Sequence, residues 1–346
     1  MYLFHNDYNE ICHESIIKAL QKSSDYQFGG YGIDACCESA KKKIRSLCKN
    51  DAISVHFLVG GTQTNLTVIA AALRPHQAVL CAQSGHINVH ETGAIEATGH
   101  KVVTVHSDDG KVSAQAVEQI LENQRADENA EHTVQIKMVY ISNSTELGTI
   151  YSMQELKKIS EVCRKYNVYL FVDGARLGYA LTAEGNDITL ADMASLCDVF
   201  YIGGTKCGAM FGEAVVISSP TIAEDFRYLI KQNGAMLAKG WLLGLQFDTL
   251  LTDDLYFKIA KQANEYADMI RDTLKELEIP LFIQGNTNQV FPILNNELME
   301  KLSQNFTFMV QERIDEHRCA VRFCTSWATK KESVDALCAA LRKYCK

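Results

Sequence analysis

Val168-Tyr169-Leu170-Phe171-Val172-Asp173-Gly174-Ala175-Arg176 decides how this chain folds, and Phe200-Tyr201-Ile202-Gly203-Gly204-Thr205-Lys206 is its companion. Each opens with β-branched, aromatic and aliphatic residues in an unbroken run, the pattern of a parallel strand buried on both faces. Each then meets glycine and a charged side chain, Asp173 in the first stretch and Lys206 in the second. Open α/β sheets bind their ligands at the carboxyl ends of such strands. The spacing of thirty-three positions from Asp173 to Lys206 leaves room for one helical crossover between neighbouring parallel strands. A carboxylate and an amine are thus expected side by side at one edge of a sheet.

Outward from these strands, helix and strand patterns alternate from about residue 15 to 250, as in α/β folds. Further strands are expected at 55–59, 79–82, 102–105 and 138–142. Helices are expected from residue 15, over 34–48 with Asp34 as the cap, over 65–73 and over 156–166. After Trp241 one long helical region should run to about Glu278. Strands at 288–294 and 320–324 follow, and Thr329-Lys330-Lys331-Glu332 has the capping-box spacing that opens a last helix. The fold class is α/β: a large domain with a mostly parallel sheet (16–250), preceded by a segment (1–15) and followed by a small C-terminal α/β domain (251–346).

The chain has 346 residues, 47% hydrophobic and 22% charged, with a formal net charge of −8. That balance speaks against nucleic acid as a partner, because phosphate binding needs clustered Lys and Arg. The densest basic run, Lys41-Lys42-Lys43, lies on a helical pattern whose apolar stripe is Ala40, Ile44 and Leu47, so it reads as a solvated face. No apolar leader follows Met1 and no run approaches transmembrane length, so no membrane association is expected. None of the twelve cysteines sits in a Cys-x-x-Cys spacing. Most fall inside apolar patterns, which suits reduced core thiols in a cytoplasmic protein. Cys36-Cys37 and Cys207 are the candidates for redox sensitivity.

Gly60-Gly61-Thr62-Gln63-Thr64-Asn65 lies between an expected strand and an expected helix. Such a turn brings backbone N–H groups and a helix dipole to an anion. It lacks the Lys-Ser/Thr of a nucleotide loop, and no G-x-G-x-x-G occurs. Taken with Lys206 and Asp173 it completes the set that pyridoxal 5′-phosphate (PLP) requires: an amine for the Schiff base, a carboxylate for the pyridine nitrogen and a cup for the phosphate. Ser84-Gly85-His86-Ile87-Asn88-Val89-His90-Glu91 offers an imidazole to stack on the ring and move protons near neutral pH. The glutamate follows the second histidine and not the first, so the zinc metalloprotease pattern is not met, and no metal is expected.

Gly61-Thr62-Gln63 with Asn65, His86 with Glu91, Asp173-Gly174-Ala175-Arg176, Thr205-Lys206 and Val321-Arg322 together resemble the L-threonine aldolases. These belong to the β-eliminating lyase/threonine aldolase group of fold-type I PLP enzymes. The resemblance runs from Asn6-Asp7 to the last helix, with the motifs in order. It implies that Lys206 carries the cofactor, Asp173 pairs with the pyridine nitrogen, His86 stacks on the ring, and Gly61, Thr62 and Gln63 hold the phosphate. It further implies that Arg176 and Arg322 grip the substrate carboxylate, a task suited to the planar guanidinium fork. Two positions depart from the family pattern. Asn6 stands where a serine contacts the carboxylate, and Thr145 stands where a histidine lies near the substrate β-hydroxyl. The latter predicts a more open pocket with weak threo/erythro discrimination.

The implied reaction is cleavage of an L-β-hydroxy-α-amino acid (threonine, allo-threonine, phenylserine) to glycine and an aldehyde. The alternatives on the same scaffold are β-elimination and transamination, which fold alone does not separate. The resemblance also implies a homodimer or homotetramer with sites at the dimer interface. There Tyr31 would cross to the neighbour, and Arg227 or Lys231 would reach the phosphate.

Overall fold

The computed structural model describes residues 1–345. A two-residue strand, β1 (Tyr2–Leu3), opens the chain. The central sheet then takes β2 (Ser54–Leu58), β3 (Gln77–Ala82), β4 (Lys101–Val105), β5 (Gln135–Ser142), β6 (Tyr169–Asp173), β7 (Val199–Gly203) and β8 (Glu213–Ile217). Their order across the sheet is β2-β8-β7-β6-β5-β3-β4. β8 alone runs against its neighbours; β3 to β7 pair in parallel. β6 and β7 are adjacent, so Asp173 and Lys206 emerge from neighbouring strand ends.

Alternation within the strands shows why the apolar runs are unbroken. Val139, Ile141, Leu170, Val172, Phe200 and Ile202 face one core. Met138, Tyr140, Phe171, Val199 and Tyr201 face the other. The sheet is therefore covered by helices on both faces, and from Met138, Leu170 and Val199 to the strand ends the side chains of β5 to β7 are buried.

A smaller antiparallel sheet follows, made of β9 (Leu281–Ile283), β10 (Gln289–Asn295), β12 (Met309–Arg313) and β13 (Arg318–Cys324) in the order β12-β13-β10-β9. The short β11 (Phe306–Thr307) pairs with β1. Phe4 enters the core of this smaller unit with Val321, Phe323, Ile270 and Leu341, so the amino terminus folds onto the carboxyl-terminal sheet.

Several elements differ from the sequence expectation. The helix after β2 begins at Gly61, not at residue 65, and runs to Ala72. The long helical region is broken: one helix spans Trp241–Leu250 and another Leu255–Glu276. Between them Asp253 and Asp254 adopt φ of 52° and 57°, a left-handed backbone that aspartate tolerates better than most residues. The expected capping box does not form at the last helix, Lys331–Tyr344, whose cap Lys330 makes no side-chain bond. The Thr329 hydroxyl instead accepts the N–H of Ser326 at 2.7 Å. All twelve cysteines are free thiols, eight of them buried. No helix among the described residues is long and apolar enough to cross a membrane.

Candidate active site

Glycines bring the two strand ends together. The Gly203 N–H donates to the Gly174 carbonyl at 2.9 Å. A Cβ on Gly174 would lie 1.7 Å from the Tyr201 carbonyl oxygen, and one on Gly203 would lie 2.4 Å from that of Ala175. No other residue fits such approaches, which explains the glycine after Asp173 and the one ending β7.

Asp173 is buried. Its Oδ2 accepts from Asn65 Nδ2 at 3.1 Å and from the Tyr140 hydroxyl, and its Oδ1 accepts the Ala175 N–H at 2.9 Å. Burial pushes its pKa up, but the His86 imidazole and these donors outweigh that and hold the carboxyl below its usual range. Lys206 sits in the turn after β7, where its carbonyl accepts from the Tyr179 hydroxyl at 2.5 Å. Burial first, and then repulsion by Arg176, lower the pKa of its amine. A lowered pKa raises the neutral, nucleophilic fraction at neutral pH.

Glu213 opens β8 beneath that turn, accepting from Thr205 Oγ1 at 2.8 Å and from the Gly204 N–H at 3.1 Å. Burial raises its pKa. No sequence motif pointed to Glu213, because a charged residue heads an otherwise apolar strand.

The helix starting at Gly61 has its first helical bond from Thr64 N–H to the Gly60 carbonyl. The N–H groups of Gly61, Thr62 and Gln63 therefore have no partner within the helix. The Gln63 side chain is otherwise engaged: Oε1 faces the Val59 N–H at 3.4 Å, and Nε2 donates to the Asn233 carbonyl at 3.1 Å. His86 begins the short helix His86–Val89 after β3. Its Nδ1 lies 2.8 Å from Glu91 Oε1, which also accepts from Asn65 Nδ2 at 2.7 Å. Asn65 thus ties the Glu91–His86 pair to Asp173.

The arginines behave differently from each other. Arg176 is buried and donates through Nε and Nη2 to Asp7 at 2.7 and 2.9 Å. Asn288 Nδ2 adds a 3.0 Å bond to Asp7 Oδ2. One full edge of the Arg176 fork is therefore occupied by the protein's own carboxylate. Arg322, on β13, donates to Gln289 Oε1 at 3.2 Å and to the His5 carbonyl at 2.9 Å. Its Nε is buried without a partner. Among the described residues no carboxylate lies within ion-pair distance of Arg322. Asn6, whose Oδ1 accepts the Tyr8 N–H at 3.1 Å, stands in sequence between His5, whose carbonyl accepts from Arg322, and Asp7, which holds Arg176.

Thr145 is turned away from this space. It is fully buried, and its hydroxyl is bonded within its own loop to Thr149 Oγ1 at 2.7 Å and to the Leu147 and Thr149 N–H groups. The next residue, Glu146, comes to His86 instead, its Oε1 accepting the His86 N–H at 3.0 Å. The tight loop turns the two side chains in different directions, which residue order alone does not show. Among the described residues no group of three or more His, Cys, Asp or Glu is placed to hold a metal.

The ionised Asp173, the Lys206 amine and the N–H groups of residues 61–63, which have no partner within their helix, suit a polar heteroaromatic ring carrying an aldehyde and a phosphate. Fold and site define a fold-type I PLP-dependent enzyme.

Comparison with known proteins narrows the class. The family model described as Beta-eliminating lyase matches residues 25–297, and the chain belongs to that family. It is 28% identical over 345 residues to the low specificity L-threonine aldolase of a Pseudomonas strain, covering 97% of this chain and 96% of the relative. The structure of a threonine aldolase from Leishmania major superposes over 100% of both chains with TM-score 0.97 and 44% identity. A Thermus thermophilus aspartate aminotransferase, 15% identical, shares the fold with TM-score 0.72 over 100% of this chain and 91% of its own.

Proposed function

We propose that this enzyme cleaves the Cα–Cβ bond of L-β-hydroxy-α-amino acids of the threonine type, releasing glycine and an aldehyde. The observation that carries the reading is Arg322, a partly buried guanidinium with no carboxylate partner among the described residues, close enough to Cys324 to act on it together with Arg176 and Lys206. Substrate carboxylate on Arg322 would fix the amino acid by its head group, as a planar fork does well. Arg176, held by Asp7, supports the same end and offers its remaining Nη1 edge.

Bound PLP would supply an electron sink for the pair left at Cα. Asp173 would hold the ring nitrogen in its protonated form, and His86, braced by Glu91, would lie against the ring. The N–H groups of Gly61, Thr62 and Gln63 would receive the phosphate. Lys206 would carry the cofactor between turnovers and return protons at Cα. Burial of Asp173 keeps water from its carboxylate, which strengthens its charge interactions.

A homodimer or homotetramer fits the exposed surface near the site. Tyr26, Ile33 and Tyr228 are each at least two-thirds exposed. Tyr31 is stacked under Lys231 at 5.1 Å and held by Arg227 through its carbonyl. Exposed apolar side chains of this kind would suit a contact between copies of the chain. Twelve free thiols suit the reducing cytoplasm.

The test is product analysis with L-threonine, L-allo-threonine and phenylserine. Aldehyde and glycine in equal amounts are expected. Ammonia with a keto acid, or a new amino acid from an added keto acid, would overturn the reading.

A further inference from the structure

We propose that Glu146 is a catalytic residue that accepts the proton of the substrate β-hydroxyl. This rests on the reading of the enzyme as an aldolase and names the group that reading leaves open. Glu146 follows β5, the strand beside β6, so its loop overhangs the carboxyl end that bears Asp173. Two donors hold Oε1: the His86 N–H at 3.0 Å and Ser142 Oγ at 2.6 Å. Among the described residues nothing bonds to Oε2, and it is not one of the buried atoms sealed without a partner. One oxygen is therefore anchored, and the other is left open beside His86.

No cation among the described residues lies within ion-pair distance of Glu146. A half-buried carboxyl with no counter-ion beside it is disfavoured as an anion, and groups perturbed in this way concentrate at functional sites. The titratable groups around it are His86, Asp173, Tyr140, Tyr151 and Cys81. Burial, reinforced by Asp173, raises its pKa above the ordinary glutamate value. That brings a general base closer to neutral pH, where proton transfer both ways is efficient.

The Thr145 hydroxyl is closed within the loop. His86 Nδ1 is engaged with Glu91, which leaves its Nε2 as the one competing acceptor, and Glu146→Gln leaves that nitrogen in place.

The step balances without a further reactant. The β-oxygen proton moves to Glu146 Oε2, and the O–H electron pair becomes the second bond of the aldehyde carbonyl. The Cα–Cβ pair stays with the glycine half, which later takes a proton at Cα, so Glu146 releases its proton to solvent and no net charge changes.

Glu146→Gln keeps an oxygen for the His86 N–H and removes the proton acceptor. In the holoenzyme, kcat for L-threonine cleavage should fall at least about 100-fold, within the usual range for a lost general base. Exchange of the glycine Cα proton with deuterated water, which involves no β-oxygen, should stay within about threefold of wild type. The acid limb of the wild-type kcat profile should vanish, and Glu146→Asp should recover at least about tenfold over Gln. In the apoprotein, an infrared carboxyl band that titrates in wild type should be missing from the Gln variant, and PLP affinity should be unchanged. Equal losses in cleavage and exchange, or full cleavage activity in Gln, would overturn the assignment. Aldehyde release by the wild type, measured in the same series, separates that failure from failure of the aldolase reading.

Discussion

Asp7→Asn probes the contact that fastens the amino-terminal segment to the site. Asp7 is fully buried, and its carboxylate bonds to Arg176 and Asn288. Burial alone would raise its pKa. Arg176, and then Lys206, overcome that and bring it from 3.8 to about 2. At 1.36 kcal/mol per pH unit, this drop corresponds to about 2–3 kcal/mol of stability. Removing one member of a buried pair, which strands the other charge, typically costs about 3–5 kcal/mol. A loss of about 2–4 kcal/mol at pH 7 is therefore expected.

The sign fixes the pH window for that loss. Because the folded-state pKa is depressed, the Asp7 contribution is complete above 3.8 and disappears as pH falls toward 2. Urea unfolding of the apoproteins, free of cofactor linkage, should show wild type and variant separated at pH 7 and converging below pH 4. A difference under about 0.5 kcal/mol at pH 7, or one that persists undiminished at acid pH, would refute the reasoning.

Arg322→Ala should lower kcat/KM for L-threonine by about 30- to 1000-fold, or 2–4 kcal/mol for a lost charge-assisted carboxylate contact. PLP absorbance should be retained, and steady-state kinetics beside a cofactor spectrum checks both. Glu213→Gln removes a carboxylate that raises the pKa of Lys206. The pH at which the apoprotein's Lys206 becomes reactive to an amine acylating reagent should therefore fall, and peptide mapping across pH would detect it.

The site's centre was legible because its signals are local. Asp173 and Lys206 each end an apolar run, and the run itself declares a strand buried on both faces. Helix starts were less so. Gly60-Gly61 reads as a turn, yet the first helical residue is Gly61, since glycine is tolerated in a first turn that bonds outward. β8 escaped notice because Glu213 heads it and it runs antiparallel between two strands far apart in sequence. The partnership of Asp7 with Arg176 joins residues 169 positions apart, and no periodicity encodes it. Thr145 and Glu146 show the same boundary at close range. Their order in the chain was plain, but which of them faces His86 depends on how the loop folds back on Thr149.

Lys206 as the cofactor-bearing residue is the claim on which the rest depends. Reduction of the PLP-loaded protein with borohydride, followed by proteolysis and mass spectrometry, locates the attachment directly. A single pyridoxyl adduct on the peptide containing Thr205-Lys206-Cys207, absent from Lys206→Ala, is predicted. An adduct on any other lysine, or an undiminished one in Lys206→Ala, would contradict the account.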